Sequence, residues 1–318
     1  MTDWHFHPGQ NFECSQCSRC CRGWRIAVDP QTAQNLQATP FHKRLEEKNG
    51  RFFARKDSQE ACSFLTSERR CQLHSELGAA AKPRGCRQFP FRLTNTPDGV
   101  FVGTSFSCPS IQNNQGDSLE AYRSELEELA QGLPLWGAAG LTVWQDKRLA
   151  WSDYRRLEDF ILQSTGVEAG LGQGLWALAQ WSLKPQRPLQ TYLENSAAAL
   201  EPPAEPLMLM EHHWFSQLLK HCGEKPVGRH REAPSEPLER YLRALVHGKS
   251  LINRRPLLGN LALLYLLPRF YRYWYARSGS PDQTLDQCER KIATHPNNLD
   301  DLVIRMADDF RDQLEPIF

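Results

Sequence analysis

Cys14-Ser15-Gln16-Cys17-Ser18-Arg19-Cys20-Cys21-Arg22-Gly23-Trp24 is the stretch on which the reading of this 318-residue chain turns. Two-residue gaps let a short loop fold back so that successive thiolates converge on one centre, a spacing shared by zinc and iron–sulfur sites. Four further cysteines follow at Cys62, Cys71, Cys86 and Cys108, so eight of the ten lie in the first 108 residues and only Cys222 and Cys288 lie beyond. Cys86 sits in Lys82-Pro83-Arg84-Gly85-Cys86-Arg87-Gln88-Phe89-Pro90, and Pro109 directly follows Cys108. A proline after a ligand cysteine removes one N–H and stiffens the loop leaving the metal, as in ferredoxin motifs. The eight thiols Cys14, Cys17, Cys20, Cys21, Cys62, Cys71, Cys86 and Cys108 are the candidate metal ligands. They suit two four-thiolate sites, or one such site plus structural or redox cysteines. Adjacent side chains tend to diverge, so Cys20 and Cys21 are expected to serve different metals, or one of them none.

The compartment supports this reading. Met1 to Cys14 is polar and lacks a signal-peptide apolar run. The most apolar stretch, Leu257–Leu267, is about half the length a bilayer span needs. No membrane span is expected, and the chain is read as cytoplasmic. Thiols there stay reduced, so dense cysteine reads as metal-binding or catalytic before it reads as disulfide. Lys and Arg number 38 against 37 Asp and Glu, a formal net charge of +1, so no global field recruits nucleic acid. Basic residues nevertheless gather near the cysteines: Arg19, Arg22, Arg25, Arg69, Arg70, Lys82, Arg84 and Arg87. Arg87, next to Cys86, is the candidate cofactor-binding residue. His74, three residues after Cys71, is a further ligand candidate. His5 and His7 read as a flexible polar end.

Local patterns predict a mainly α fold with a small β component: an N-terminal Cys-rich metal module, residues 1–112, packed on an α-helical body, residues 113–318. Asp29-Pro30 opens a helix expected to run to Lys48, where Asn49-Gly50 closes it. A short strand is expected over 51–56. Pro97-Asp98-Gly99 turns a hairpin between 91–94 and 100–106, and 141–144 with 148–151 form a second. Helices are expected over 118–131, 152–164, 171–183, 187–200, 207–221, 235–247, 257–277 and 298–315. Segments 201–206 and 223–236 read as connections. The stretch 253–277 reads as a buried central helix kinked at Pro268. Its Arg269, Arg272 and Arg277 among aromatic residues leave a docking face as the alternative.

The cysteine blocks in this order resemble the YkgJ family of cysteine-cluster proteins, a zinc- or iron-chelating domain with a CxxCxxCC motif. The blocks are Cys14-x2-Cys17-x2-Cys20-Cys21, Cys62-x-Phe-Leu, Cys71, and Lys82-Pro-x-x-Cys86-Arg87-x-Phe89-Pro90, so the resemblance covers about residues 14–110. Larger members with a helix-rich body include flagellin lysine-N-methylases, which share this layout. The resemblance implies a 4Fe-4S iron–sulfur cluster, with zinc as the alternative metal, and S-adenosylmethionine as donor for methyl transfer to a protein substrate's lysines. It also leaves a second class open, a non-catalytic zinc- or iron-binding protein with a structural or carrier role. No G-x-G-x-x-G loop follows a strand, and no residue in the helical part is singled out as catalytic.

Overall fold

The computed structural model describes residues 2–198, 204–224, 232–293 and 299–314. Its order is β1 (Trp4–Phe6), β2 (Asn11–Phe12), β3 (Ala27–Val28), α1 (Pro30–Gln37), β4 (Leu45–Lys48), β5 (Arg51–Ala54), α2 (Gln72–Leu77), α3 (Arg84–Gln88), β6 (Phe91–Thr96), β7 (Gly99–Thr104), α4 (Pro109–Gln112), β8 (Asp117–Ser118) and α5 (Arg123–Ala130). There follow β9 (Leu141–Trp144), β10 (Lys147–Leu149), α6 (Trp151–Gln163), α7 (Val167–Leu183), α8 (Leu189–Ala198), α9 (Ala204–His221), α10 (Ser235–His247), α11 (Leu257–Ser278), α12 (Pro281–Cys288) and α13 (Asp300–Leu314). The fold is mainly α with small sheets. The expected connections over 201–206 and 223–236 fall partly outside the described residues.

Two compact units are built from discontinuous segments. A helical unit takes Met1–His7, Leu93–Gly103 and Leu133–Phe318; a cysteine unit takes Pro8–Arg92 and Thr104–Gly132.

In the cysteine unit, Asp29 caps α1 by accepting a 3.0 Å hydrogen bond from the Thr32 N–H, with Pro30 in the first turn. The helix ends at Gln37, not at Lys48. Pro40 cannot donate to a helical carbonyl and drives Thr39 into extended backbone. The chain makes a 3-10 turn over Pro40–Arg44 and then β4, which pairs antiparallel with β5 while β3 takes the other edge of β5. Val28, Ala33, Leu36, Phe41, Leu45, Phe64 and Leu73 form the core beneath, with Cys62 among them and Cys21 and Cys71 packed at its margin.

In the helical unit, β1 runs parallel to β7, with His5 opposite Phe101, and β6 pairs on the other side. The Pro97-Asp98 turn enters β7 through Gly99 at φ +121°, where an added Cβ would sit 2.3 Å from the Asp3 oxygen, so only glycine fits. His5 and His7 are therefore not a loose end. His5 Nε2 contacts the Asp98 carbonyl oxygen at 2.8 Å, its ring stacks on Phe101 at 4.3 Å, and the His7 ring meets His247 edge-on at 5.0 Å. The polar start of the chain is recruited because the edge of β7 needs a partner for its backbone groups.

Helices α7 and α11 are apolar nearly all round and form the core. Gly172 and Gly174 bring α7 close to Tyr265 and to Leu157 and Ile161; a Cβ at either glycine would meet them at 3.1 Å. Helix α11 continues as one element through Pro268. Its arginines are spent within the chain: Arg269 on Glu211 at 3.1 Å, Arg272 on Glu168 at 2.5 Å and Arg277 on Glu224 at 2.9 Å. These pairings favour the core-helix reading over a nucleic-acid face. No described helix is long and apolar enough to cross a membrane.

Candidate metal centre

The loop carrying the first cysteine group owes its path to two left-handed residues, Gln16 at φ +53° and Ser18 at φ +58°. Non-glycine residues there cost on the order of 1 kcal/mol each, so surrounding contacts must hold them. A single 3-10 turn, Arg19–Cys21, then presents Cys20 and Cys21, whose sulfur atoms lie 3.9 Å apart.

The second group is folded onto the first by backbone pairing. The Cys62 N–H donates to the Cys21 carbonyl at 2.8 Å, and the Gly23 N–H to the Glu60 carbonyl at 3.2 Å. Asp57 shapes the preceding turn by accepting from the Gln59 and Ala61 N–H groups, each at 2.8 Å. A bridge between Leu65 and Cys71 closes the next loop, and Cys71 stands at the head of α2. Cys86 lies on α3. That helix is set by the Arg84 N–H donating to Asp29 Oδ2 at 2.9 Å, so one carboxylate anchors the starts of α1 and α3. Burial opposes ionisation of Asp29, but the hydrogen bonds from Arg84 and Thr32 outweigh it and hold the carboxyl below its usual range. Cys108 ends the turn after β7 and precedes Pro109 of α4.

All eight cysteines line one or both of two cavities in this unit. The first, about 230 Å³, is lined by Cys14, Cys17, Cys20, Cys86 and Cys108. The second, about 280 Å³, is lined by Cys20, Cys21, Cys62, Cys71 and Cys86. Around the first stand Arg19, Lys82, Arg87, Tyr122 and Glu125, and an aromatic wall of Phe12, Phe91 and Tyr122 with ring centroids 5.1–5.4 Å apart. The second is mostly apolar, with Trp24, Ile26, Phe64, Leu73 and Phe89. Lys82 lines both.

Arg87 lines the first cavity and donates to Glu128 at 2.6 Å, which holds the guanidinium against α5. His74 is exposed on α2 and lines neither cavity. Cys288 is fully buried in the helical unit, and Cys222 is partly buried. Lys82 was one of eight cations near the cysteines in the sequence, and nothing in its spacing marked it as common to both cavities. Tyr122 and Glu125 carry no motif at all; they reach the site because Tyr122 donates to the Phe12 carbonyl at 2.9 Å.

Four of these thiols, Cys20, Cys62, Cys86 and Cys108, are held toward the neutral form. Burial pushes Cys86 up to about 12, against the pull of Lys82, and pushes Cys108 up to about 11. Cys62 is raised for the same reason. Cys20 is raised first by the hydrogen bond it shares with Cys21 and then by burial. A divalent cation inverts this preference, because its own charge is the largest in any such site. The donor set fits a thiolate-bound metal: five sulfurs line each cavity and no imidazole does. Among the described residues, no three His, Cys, Asp or Glu side chains converge closely enough to hold a single ion. The thiols are instead spread over the cavity walls.

Comparison with known proteins agrees with the cysteine pattern. Residues 13–114 match the family model described as "CxxCxxCC: Putative zinc- or iron-chelating domain". The chain is 27% identical over 115 residues to a lysine-N-methylase of Salmonella typhimurium, a match spanning 31% of this chain and 29% of that protein. It is 28% identical over 116 residues to the flagellar biosynthetic protein FliU of Salmonella muenchen, spanning 32% of this chain and 69% of that one. An uncharacterised protein of Methanocaldococcus jannaschii is 31% identical over 101 residues, which is 36% of its length. The matched stretch thus spans about a third of the archaeal protein and of the methylase. No solved structure matches. Over residues 13–114, then, this chain resembles the zinc- or iron-chelating CxxCxxCC domain in motif, in order of blocks and in family model.

Proposed function

We propose that the cysteine unit holds an iron–sulfur cluster of the 4Fe-4S type on its thiolates, and that the protein is a methyltransferase of the lysine-N-methylase kind. The observation that carries the metal reading is the gathering of eight thiols, from five separate stretches of sequence, on the walls of two adjoining cavities. The methyl-transfer part draws its support from the names of the relatives that share this segment. In this reading the substrate is a protein lysine and the donor is S-adenosylmethionine, which supplies an electrophilic methyl group when bound. The cytoplasm belongs to the same reading, since reduced thiols are what a metal can use.

The chain's own residues have assignable tasks. Cys14, Cys17, Cys20, Cys21, Cys62, Cys71, Cys86 and Cys108 supply the ligands. Lys82, facing both cavities, offsets the negative charge that thiolate ligation brings. Arg87, held by Glu128, turns a fixed cation toward the first cavity and is the residue proposed to bind an anionic part of a cofactor. Phe12, Phe91 and Tyr122 keep water from that wall.

The family model matched by residues 13–114 names zinc beside iron, and this supports a non-catalytic zinc protein as the second reading. Anaerobic purification followed by metal and acid-labile sulfide analysis separates the two. Iron with equimolar sulfide, a brown chromophore and transfer of labelled methyl from S-adenosylmethionine to protein lysine are expected. Colourless protein with stoichiometric zinc and no methyl transfer overturns the proposal.

A further inference from the structure

The two cavities divide the eight cysteines in a way that a single centre does not explain. Cys14, Cys17 and Cys108 line only the first cavity; Cys21, Cys62 and Cys71 line only the second; Cys20 and Cys86 stand on the wall between. A single four-thiolate centre would occupy one cavity and leave at least three thiols on the other with no ligand role. One of those, Cys62, is 7% exposed and sits among Val28, Leu36 and Phe64. The two surroundings also differ, the first being edged by cations and hydroxyls and the second by aromatic and aliphatic side chains.

We infer that the cysteine unit holds two metal centres, each on four thiolates: Cys14, Cys17, Cys20 and Cys108 in the first cavity, and Cys21, Cys62, Cys71 and Cys86 in the second. This rests on the reading of the unit as a metal module and specifies its stoichiometry. The shared pair is allotted by its neighbours. Cys20 and Cys86 line both cavities; with Cys21 of the doublet already in the second, Cys20 is assigned to the first and Cys86 to the second. The Cys20-Cys21 doublet then has a physical role. Cys21 lines only the second cavity and Cys20 lines both, on one 3-10 turn, so the two centres are tied to one rigid piece of backbone. Lys82, on both walls, is placed to balance the charge of both.

The test counts metal per chain. Full-length protein and two double variants, Cys14→Ser with Cys17→Ser and Cys62→Ser with Cys71→Ser, are loaded anaerobically, once with zinc alone and once with iron plus sulfide. Folding is checked by circular dichroism. With whichever metal binds, each double variant is expected to retain about half the wild-type content, and the fourfold variant none. A folded double variant that loses all its metal overturns the inference in favour of one shared centre. One that loses none also overturns it, since those cysteines are then not ligands. Should a variant fail to fold, native mass spectrometry of the loaded wild-type chain decides, with two equal metal increments supporting the division and one overturning it. Wild-type protein that takes up neither metal overturns the functional reading and the division together. A single increment overturns the division alone.

Discussion

The Cys62 amide donates a 2.8 Å hydrogen bond to the Cys21 carbonyl, and this contact stitches the compact cysteine group to the dispersed one. Both residues line the second cavity, so the seam and the candidate ligands coincide. Whatever weakens the seam should loosen metal as well as fold.

Gly23 tests the seam. It sits at φ +70°, with its N–H on the Glu60 carbonyl, directly beside Cys21 and Arg22. A branched residue is strained there. Gly23→Val should lower unfolding free energy by about 1–2 kcal/mol and reduce metal retained after dialysis against a chelator. Urea denaturation and metal analysis of the same preparation check both. An unchanged urea midpoint would mean that the turn adapts and the seam carries little.

Lys82 tests the electrostatics. It opposes the burial that keeps Cys20 and Cys86 protonated. Lys82→Met should weaken metal binding by about tenfold, the lower end of what supporting groups around a metal usually contribute. In the metal-free protein, Cys86 should alkylate more slowly at a given pH. Competition with a chelator and mass spectrometry of alkylated peptides are the readouts. Lys82→Arg should restore most of the affinity.

A buried ion pair holds the helical unit. Lys249 Nζ lies 2.6 Å from Glu158 Oε2, with both side chains almost wholly inaccessible. Tyr154 donates to the other carboxylate oxygen at 3.0 Å, and Arg155 also pairs with Glu158. Removing Lys249 leaves Glu158 with only Arg155 and Tyr154, so Lys249→Met should destabilise, by less than the roughly 3–5 kcal/mol of a wholly stranded buried charge. The double variant Lys249→Met with Glu158→Leu should cost clearly less than the sum of the single changes. Strict additivity in a double-mutant cycle would show that the pair is not coupled.

Two imidazoles give the helical unit an acid limit. Burial, reinforced by Arg243 and Arg240, lowers His7 from 6.5 to about 4; burial, then His7 and Lys249, lowers His247 to about 3. Both are neutral in the fold and take up protons more readily when unfolded. Their stabilisation is therefore complete above the unfolded value near 6.5 and is lost as pH falls through about 4 and 3. His7 alone should account for on the order of 3 kcal/mol of the loss. Urea midpoints at pH 7, 6, 5 and 4 should fall for the wild type and fall less for His7→Phe. Parallel slopes in the two proteins would dispose of this assignment.

Much of the architecture is legible locally. The turn Pro97-Asp98-Gly99 and the 141–149 hairpin stand where their turn chemistry puts them, with Gln145 at φ +46° in the second. The helices from α6 onward stand where apolar patterns place them, except α12, which no local pattern marked. Local reading failed where two signals competed. The Asp29-Pro30 start and the Asn49-Gly50 stop argued for one long helix, but Pro40 ended it, and β4 found a better partner in β5. It failed again at His5, which joined a strand on the edge of β7, and at His7, whose ring packs on His247.

The sequence by itself determined that eight thiols in five stretches stand ready near cations, since cysteine density and spacing need no fold to be read. Only the tertiary structure decided which thiols share a cavity. Cys108 reaches the wall that Cys14 and Cys17 line, and Cys62 reaches that of Cys21, through contacts between segments far apart in the chain. Such contacts depend on loop closure and on a common apolar core, and no local spacing encodes them. The wall position of Lys82 and the closing of the site by Tyr122 arise in the same way, from packing between elements whose separate sequences carry no sign of it.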